Sequence, residues 1–230
     1  MELRITDLTK SYEQTKVLED IHFTFTSGKI YALLGRNGIG KTTFFNCLNK
    51  DIDYQSGKFY LDQRELHLND IGYVISIPVV PEFLTAQEFL EIFIEINKER
   101  IEDLQTVDYY FQLAGIKEKD RYKLLRDYSH GMKNKIQMLV NIILKPKVLL
   151  LDEPLTSLDI IAQEEMKVLL KSLKQGSILI FSTHILELAL DLCDEIVVLN
   201  NKKFQLVERI EDHAVFKQSI IELLKDEKYD

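Results

Sequence analysis

The chain reads as an α/β domain with a mainly parallel sheet, an antiparallel β-layer at its start and a helical insert. Three observations carry that reading. Five short β-rich runs, Ile30–Leu34, Ile71–Ile75, Val148–Leu151, Ile178–Phe181 and Ile196–Leu199, are separated in several places by helical patterns, as in parallel sheets. The first thirty residues differ: they alternate apolar and polar and break at Ser11-Tyr12-Glu13-Gln14. The residues between Ile75 and Val148 carry helical periodicity.

Taken in order, Met1-Glu2-Leu3-Arg4-Ile5 already alternates like a strand, so no secretory signal is expected there. The apolar run Ile30–Leu34 reads as a buried strand. It leads into Gly35-Arg36-Asn37-Gly38-Ile39-Gly40-Lys41-Thr42-Thr43, a glycine, four residues, then Gly-Lys-Thr, and Thr42–Asn49 reads as a helix. Strand, glycine-rich loop and helix in that order make a phosphate loop. Backbone N–H groups of the turn point into one concavity at a helix N-terminus, where the helix dipole and unpaired amides favour a polyanion. Lys41 is expected to reach the β- and γ-phosphates of a nucleotide, and the Thr42 hydroxyl to ligate Mg²⁺.

In the insert, Thr85 is an N-cap with Glu88 three residues later, a capping box. Residues 86–97 carry Phe89, Leu90, Ile92, Phe93, Ile94 and Ile96. A second helix is expected over 103–114 and a third after Ser129. Phe83, Leu84, Phe89 and Phe93 suit either the core of this insert or a docking groove, and the sequence leaves both open. Arg121, Lys123 and Arg126 read as a solvated face, and residues 225–230 as a frayed tail.

Val148-Leu149-Leu150-Leu151-Asp152-Glu153 is an apolar run ending in two carboxylates. A buried strand places both at its C-terminal edge, where open α/β sheets put their ligands. Asp152 is expected to hold Mg²⁺ through water, and Glu153 to orient or deprotonate an attacking water. The net charge of −8 argues against a broad nucleic-acid surface, but not against nucleotide binding, which uses local amides and one lysine. No apolar run has the length needed to cross a bilayer, so the chain is expected in the cytoplasm unless a partner holds it at a membrane. Cys47 and Cys193 have no ligand spacing and read as incidental thiols of a reducing compartment. His22, His67 and His213 have no motif around them, and no metal is assigned to them.

Further motifs complete a pattern. Ser129-His130-Gly131-Met132 precedes the apolar run Val148–Leu151, Ser157-Leu158-Asp159 follows Glu153 by four residues, and Thr183-His184 follows the strand Ile178–Phe181. With the phosphate loop and Asp152-Glu153, in this order over nearly the whole length, the chain resembles the ATP-binding subunits of ABC transporters. That resemblance implies a RecA-like P-loop core with the β-layer over 1–76 and 144–230, and a helical subdomain over 77–143. It makes Ser129-His130-Gly131-Met132 the signature motif, Ser157-Leu158-Asp159 the D-loop, His184 the switch histidine and Tyr12 the aromatic that stacks on adenine.

The resemblance also implies a mechanism. Two domains, identical or not, face head to tail around two ATP molecules. Ser129 and the Gly131 amide grip the γ-phosphate of the ATP on the partner, Asp159 crosses the interface, and His184 steadies the water and Glu153. Hydrolysis loosens the clamp, and a separate transmembrane permease moves its cargo, with the ATPase peripheral on the inner face of the membrane. The form Tyr128-Ser129-His130-Gly131-Met132-Lys133 is similar to exporter ATPases. Two departures stand out. Ser76 occupies the position of the family's Mg²⁺-coordinating glutamine and is too short to reach as far, which puts coupling and turnover rate in question. His130 replaces the first signature glycine, a costly change if φ is positive there. A soluble ABC ATPase of translation or repair, and a weakly hydrolysing regulatory ATPase, remain alternatives.

Overall fold

A computed structural model of the chain describes residues 1–156 and 158–225. Along the chain run β1 (Glu2–Tyr12), β2 (Thr15–Thr26), β3 (Ile30–Leu34), α1 (Lys41–Leu48), β4 (Ser56–Leu61), β5 (Arg64–Glu65) and β6 (Ile71–Val74). The insert follows as α2 (Ala86–Asn97), α3 (Val107–Leu113), α4 (Glu118–Arg121) and α5 (His130–Leu144). The chain then returns through β7 (Val148–Asp152), α6 (Ile160–Leu173), β8 (Ile178–Thr183), α7 (Leu186–Leu192), β9 (Glu195–Asn200), β10 (Lys203–Val207) and α8 (His213–Lys225).

Two sheets result. The antiparallel layer has the order β2-β1-β4-β5, and the larger sheet has the order β10-β9-β3-β8-β7-β6. In the larger sheet β9, β3, β8, β7 and β6 are parallel, and β10 pairs antiparallel with β9. Every residue of β3, β7 and β8 is buried, as expected of parallel strands covered on both faces. Alternation assigns the faces. Ala32, Leu34, Leu149, Leu151, Leu179 and Phe181 pack with Met138 and Ile142 of α5, Met166 and Leu170 of α6, Ala189 of α7 and Ile220 of α8. Tyr31, Leu33, Val148, Leu150, Ile178 and Ile180 pack with Phe44, Phe45 and Leu48 of α1 and with Leu3, Ile5, Leu18 and Phe25 of the antiparallel layer. The helix after the phosphate loop is therefore clamped between the two sheets.

The insert has its own core, built on Leu90, Phe111, Leu125, Ile136, Leu139 and Ile143. Helix α5 belongs to both cores: Ile136, Leu139 and Ile143 lie at helical spacing on the insert side, while Met138 and Ile142 face the sheet. Its orientation, and so the placement of Ser129 at its start, is fixed from two directions. Each such residue contributes about 1.5–3 kcal/mol on burial, so truncating Leu139 to Ala is costly.

Some expectations change. The second insert helix starts at Val107 rather than 103, because the Thr106 side chain caps it by accepting the Tyr109 N–H. Residues 103–105 instead form a turn around the Tyr110 hydroxyl, which accepts the Gln105 N–H and donates to the Asp103 carbonyl. Arg121 is not part of a solvated face: its side chain is largely buried, pairs with Asp108 and lies over the Phe111 ring. Lys123 and Arg126 do face solvent. Of the apolar stretch, Phe89 and Phe93 pack on the insert core, whereas Phe83 is 79% exposed. Helix α8 runs to Lys225, and the rest of the tail lies outside the described residues.

Candidate functional site

The loop after β3 enters α1 through Gly40, at φ 119°, and Gly38 lies at φ 81°. A Cβ on Gly40 would sit 2.6 Å from Val17 Cγ1, so this turn needs glycine for space and for conformation. Lys41 is the first residue of α1 and is buried. Its ammonium donates to the Gly35 carbonyl (2.8 Å) and the Arg36 carbonyl (3.0 Å). Burial lowers its pKa, opposed by the charges of Glu153 and Asp152. The cation is thus stored inside the loop on neutral carbonyls, which an anionic ligand can replace.

The strand order β3-β8-β7 brings three chain segments to one edge. Asp152 ends β7, almost fully buried, and registers against Ser182 of β8. Thr42 Oγ1 donates to Asp152 Oδ2 at 2.8 Å, and Ser182 Oγ donates to Asp152 Oδ1 at 2.5 Å. The Glu153 N–H donates to Ser182 Oγ (3.1 Å) and to the Ser182 carbonyl (3.3 Å). Glu153 has φ 48°, a left-handed backbone that costs a residue with a Cβ roughly 1–2 kcal/mol. Its carboxylate Oε1 lies 3.0 Å from His184 Nδ1. Thr42, Asp152, Ser182, Glu153 and His184 therefore form one hydrogen-bonded chain.

A cleft of about 320 Å³ opens on this chain, lined by Asn37, Gly38, Gly40, Lys41, Thr42, Thr43, Ser76, Asp152 and Glu153. Positive-φ glycines, a buried ammonium and a helix N-terminus facing one polar cleft suit a polyphosphate. A hydroxyl and a carboxylate within hydrogen-bond distance are hard oxygen donors, which suit Mg²⁺. A second cavity of about 310 Å³ lies beside α8, between residues such as Leu190, Val207 and Phe216, and shares no residue with this edge.

The other expected site residues fall in three places. Ser76 is exposed two residues past β6 and lines the cleft. Ile39 packs partly on the core between the two sheets, and the Arg36 carbonyl accepts its N–H. Tyr12 is 47% exposed at the β1–β2 turn, its ring 4.4 Å from Lys10 Nζ, and is not among the cleft-lining residues. Ser129 caps α5, accepting the Met132 N–H at 3.3 Å, and is exposed beside His130. His130 is the first residue of α5 and is not in the left-handed region, so the cost expected of a side chain there does not arise. Gly131 is the constrained member: a Cβ there would meet Leu158 Cδ2 at 2.8 Å. Asp159 caps α6, its Oδ1 accepting the Ile161 and Ala162 N–H groups, both at 3.0 Å. Ser157 lies outside the described residues.

Sequence reading missed Ser182, whose place follows only from the β7–β8 register, although a hydroxyl two residues before His184 was there to be asked about. It also missed that the fold brings His22 beside Asp20 and Asp7 in an exposed group.

Residues 18–156 match the ABC transporter family. That span exceeds half of the chain, and the chain belongs to this family. It is similar to the bacitracin transport ATP-binding protein BcrA of Bacillus licheniformis, 34% identical over 90% of this chain and 69% of that protein. It is 31% identical to an ABC transporter ATP-binding protein, YxlF, of Bacillus subtilis over 86% of this chain and 68% of that one. It is also 30% identical to the lantibiotic transport ATP-binding protein SrtF of Streptococcus pyogenes, over 80% of each. A solved ATP-binding subunit of an ABC transporter superposes with a TM-score of 0.78 at 24% identity, covering 98% of this chain and 95% of that one, and supports the fold. The chain is thus an ATP-binding subunit of the ABC class, with the RecA-like core expected of it.

Proposed function

We propose that the chain hydrolyses ATP with Mg²⁺ and drives export through a separate membrane permease. The observation that carries this reading is the hydrogen-bonded chain from Thr42 through Asp152, Ser182 and Glu153 to His184, set along the phosphate-loop cleft. In it Lys41 and the loop amides of Gly35–Thr43 hold the phosphates, and Thr42 and Asp152, with Ser76, hold the metal. Mg²⁺ supplies charge neutralisation at the β- and γ-phosphates. Glu153 aligns the attacking water and accepts its proton, while His184 fixes the orientation of the Glu153 carboxylate. Tyr12 stacks on the adenine.

The second half of the reading concerns assembly. Ser129 and Gly131 begin a helix of fifteen residues at an exposed surface, and neither they nor His130 line the cleft of their own chain. They fit a triphosphate held by a second ATPase subunit, of the same or another chain, with Asp159 near that interface. No helix among the described residues is long and apolar enough to cross a membrane, which fits a permease on a separate chain and a peripheral position on the inner membrane face. The names of BcrA and SrtF, bacitracin and lantibiotic transport, favour a peptide-class cargo, and the signature variant favours export. The test is Mg²⁺-dependent phosphate release by the purified chain, which Glu153→Gln should remove while leaving ATP binding intact. A wild-type chain with no such release, alone or with a second ABC ATPase subunit, contradicts the proposal.

A further inference from the structure

Ser182 is fully buried, and its one hydroxyl serves two consecutive residues of the neighbouring strand. It donates to Asp152 Oδ1 and accepts the N–H of Glu153. Thr42 takes the other oxygen of Asp152, so the carboxylate is fixed at both ends. The Glu153 N–H bond holds a residue whose left-handed backbone is not self-supporting. Two residues further along the same chain segment, His184 meets the Glu153 carboxylate. One hydroxyl therefore sets the angle between the metal-side carboxylate and the water-side carboxylate.

We infer that Ser182 is a positioning residue, coupling the metal-holding geometry of Asp152 to the water-aligning geometry of Glu153. It touches neither phosphate nor water itself, and the inference rests on the ATPase reading given above. Alanine at this position leaves the buried Asp152 Oδ1 without its donor and the Glu153 N–H with only its longer bond to the backbone carbonyl of residue 182, and Asp152 becomes free to turn from Thr42. Threonine keeps the hydroxyl.

The test compares full-length wild type with Ser182→Ala, Ser182→Thr and Ser177→Ala. Ser177 is a control at the opposite end of β8, also buried, whose Oγ donates to the Pro146 carbonyl. Two readouts are taken: the Mg²⁺ dependence of ATP binding by calorimetry, and kcat with KM. For Ser182→Ala the half-saturating Mg²⁺ concentration should rise about tenfold and kcat should fall about ten- to a hundredfold. KM for MgATP at saturating Mg²⁺ should stay within about twofold, since uniform binding is untouched. Ser182→Thr should restore most of both, and Ser177→Ala should change neither. Wild-type values for Ser182→Ala overturn the inference, as does an equal effect of Ser177→Ala, which marks a general loss of sheet stability. Should Ser182→Ala fail to fold, Ser182→Cys, near in size but a weak donor, takes its place with the same expected rise and the same overturning result. A wild type without turnover overturns the ATPase reading alone, because the Mg²⁺ titration of binding still decides the role of Ser182.

Discussion

The C-terminal edge of β3, β8 and β7 and the N-terminal end of α5 supply the two halves of the proposed site, and they are built in opposite ways. At the sheet edge the polar groups are bonded to one another around a buried centre of Lys41, Asp152 and Ser182: Lys41 to loop carbonyls, Asp152 to Thr42 and Ser182, Glu153 to Ser182 and His184. At the start of α5, Ser129 and His130 are exposed, and the Ser129 hydroxyl accepts the Met132 N–H of its own helix. A set of groups already bonded to one another around a buried centre can bind within one chain. The exposed start of α5 has its orientation fixed by two cores and, on the proposed function, would complete its work against a surface from outside. On the proposed function, the contrast separates binding from hydrolysis: the first would need one chain, the second two.

That separation can be broken by mutation, and the largest effect is expected at the sheet edge. Glu153→Gln should lower phosphate release at least about a hundredfold with ATP affinity within a few-fold, measured by calorimetry beside a phosphate assay. Lys41→Ala should lose both. Next, Ser129→Arg should cut hydrolysis by about tenfold or more while leaving nucleotide affinity of the single chain unchanged. Mixing the Lys41→Ala and Ser129→Arg chains should then recover part of the rate, since one composite site in the pair is intact. No recovery, with each chain still binding as expected, would mean the two halves do not meet across chains.

Smaller effects sharpen the picture. Ser76→Gln lengthens a short, exposed side chain that lines the cleft, and the ATPase rate should rise a few-fold; an unchanged rate would show that the native serine limits nothing. The smallest effect lies outside both halves. The Arg64 guanidinium holds the Asp70 carboxyl below its ordinary pKa, against burial and with help from the His67 N–H. A folded-state pKa that is depressed stabilises above the unfolded value, and that stability is lost as pH falls through the folded value. Asp70→Asn should therefore lower Tm modestly at neutral pH, with the difference shrinking below about pH 4, checked by thermal melts across pH. Nucleotide binding should not change.

What the sequence disclosed was what is local. The phosphate loop, the Asp152-Glu153 strand end, His184 and the Thr85–Glu88 capping box are each set by residues within a few positions of one another, and the capping box is formed as spacing predicts. What it withheld depends on pairing across distance. Ser182 acquires its partners only because β8 lies beside β7 in one register. Arg121 looked solvated beside Lys123 and Arg126, yet contacts from Phe111 and Asp108 draw it inward. Strands β4, β5 and β10 are short or exposed, with little periodicity to reveal them. At position 130 the comparison with glycine points to a backbone cost that does not arise, and the close approach sits one residue later, where a Cβ on Gly131 would displace the Leu158 side chain.

The most direct measurement is the mass of Glu153→Gln in solution, by light scattering, with and without MgATP. A monomer that becomes a dimer with nucleotide, and fails to do so when Ser129→Arg is added, is the predicted result. A Glu153→Gln chain that binds MgATP and keeps one mass, alone and when mixed with a second ABC ATPase subunit, would contradict the two-chain site.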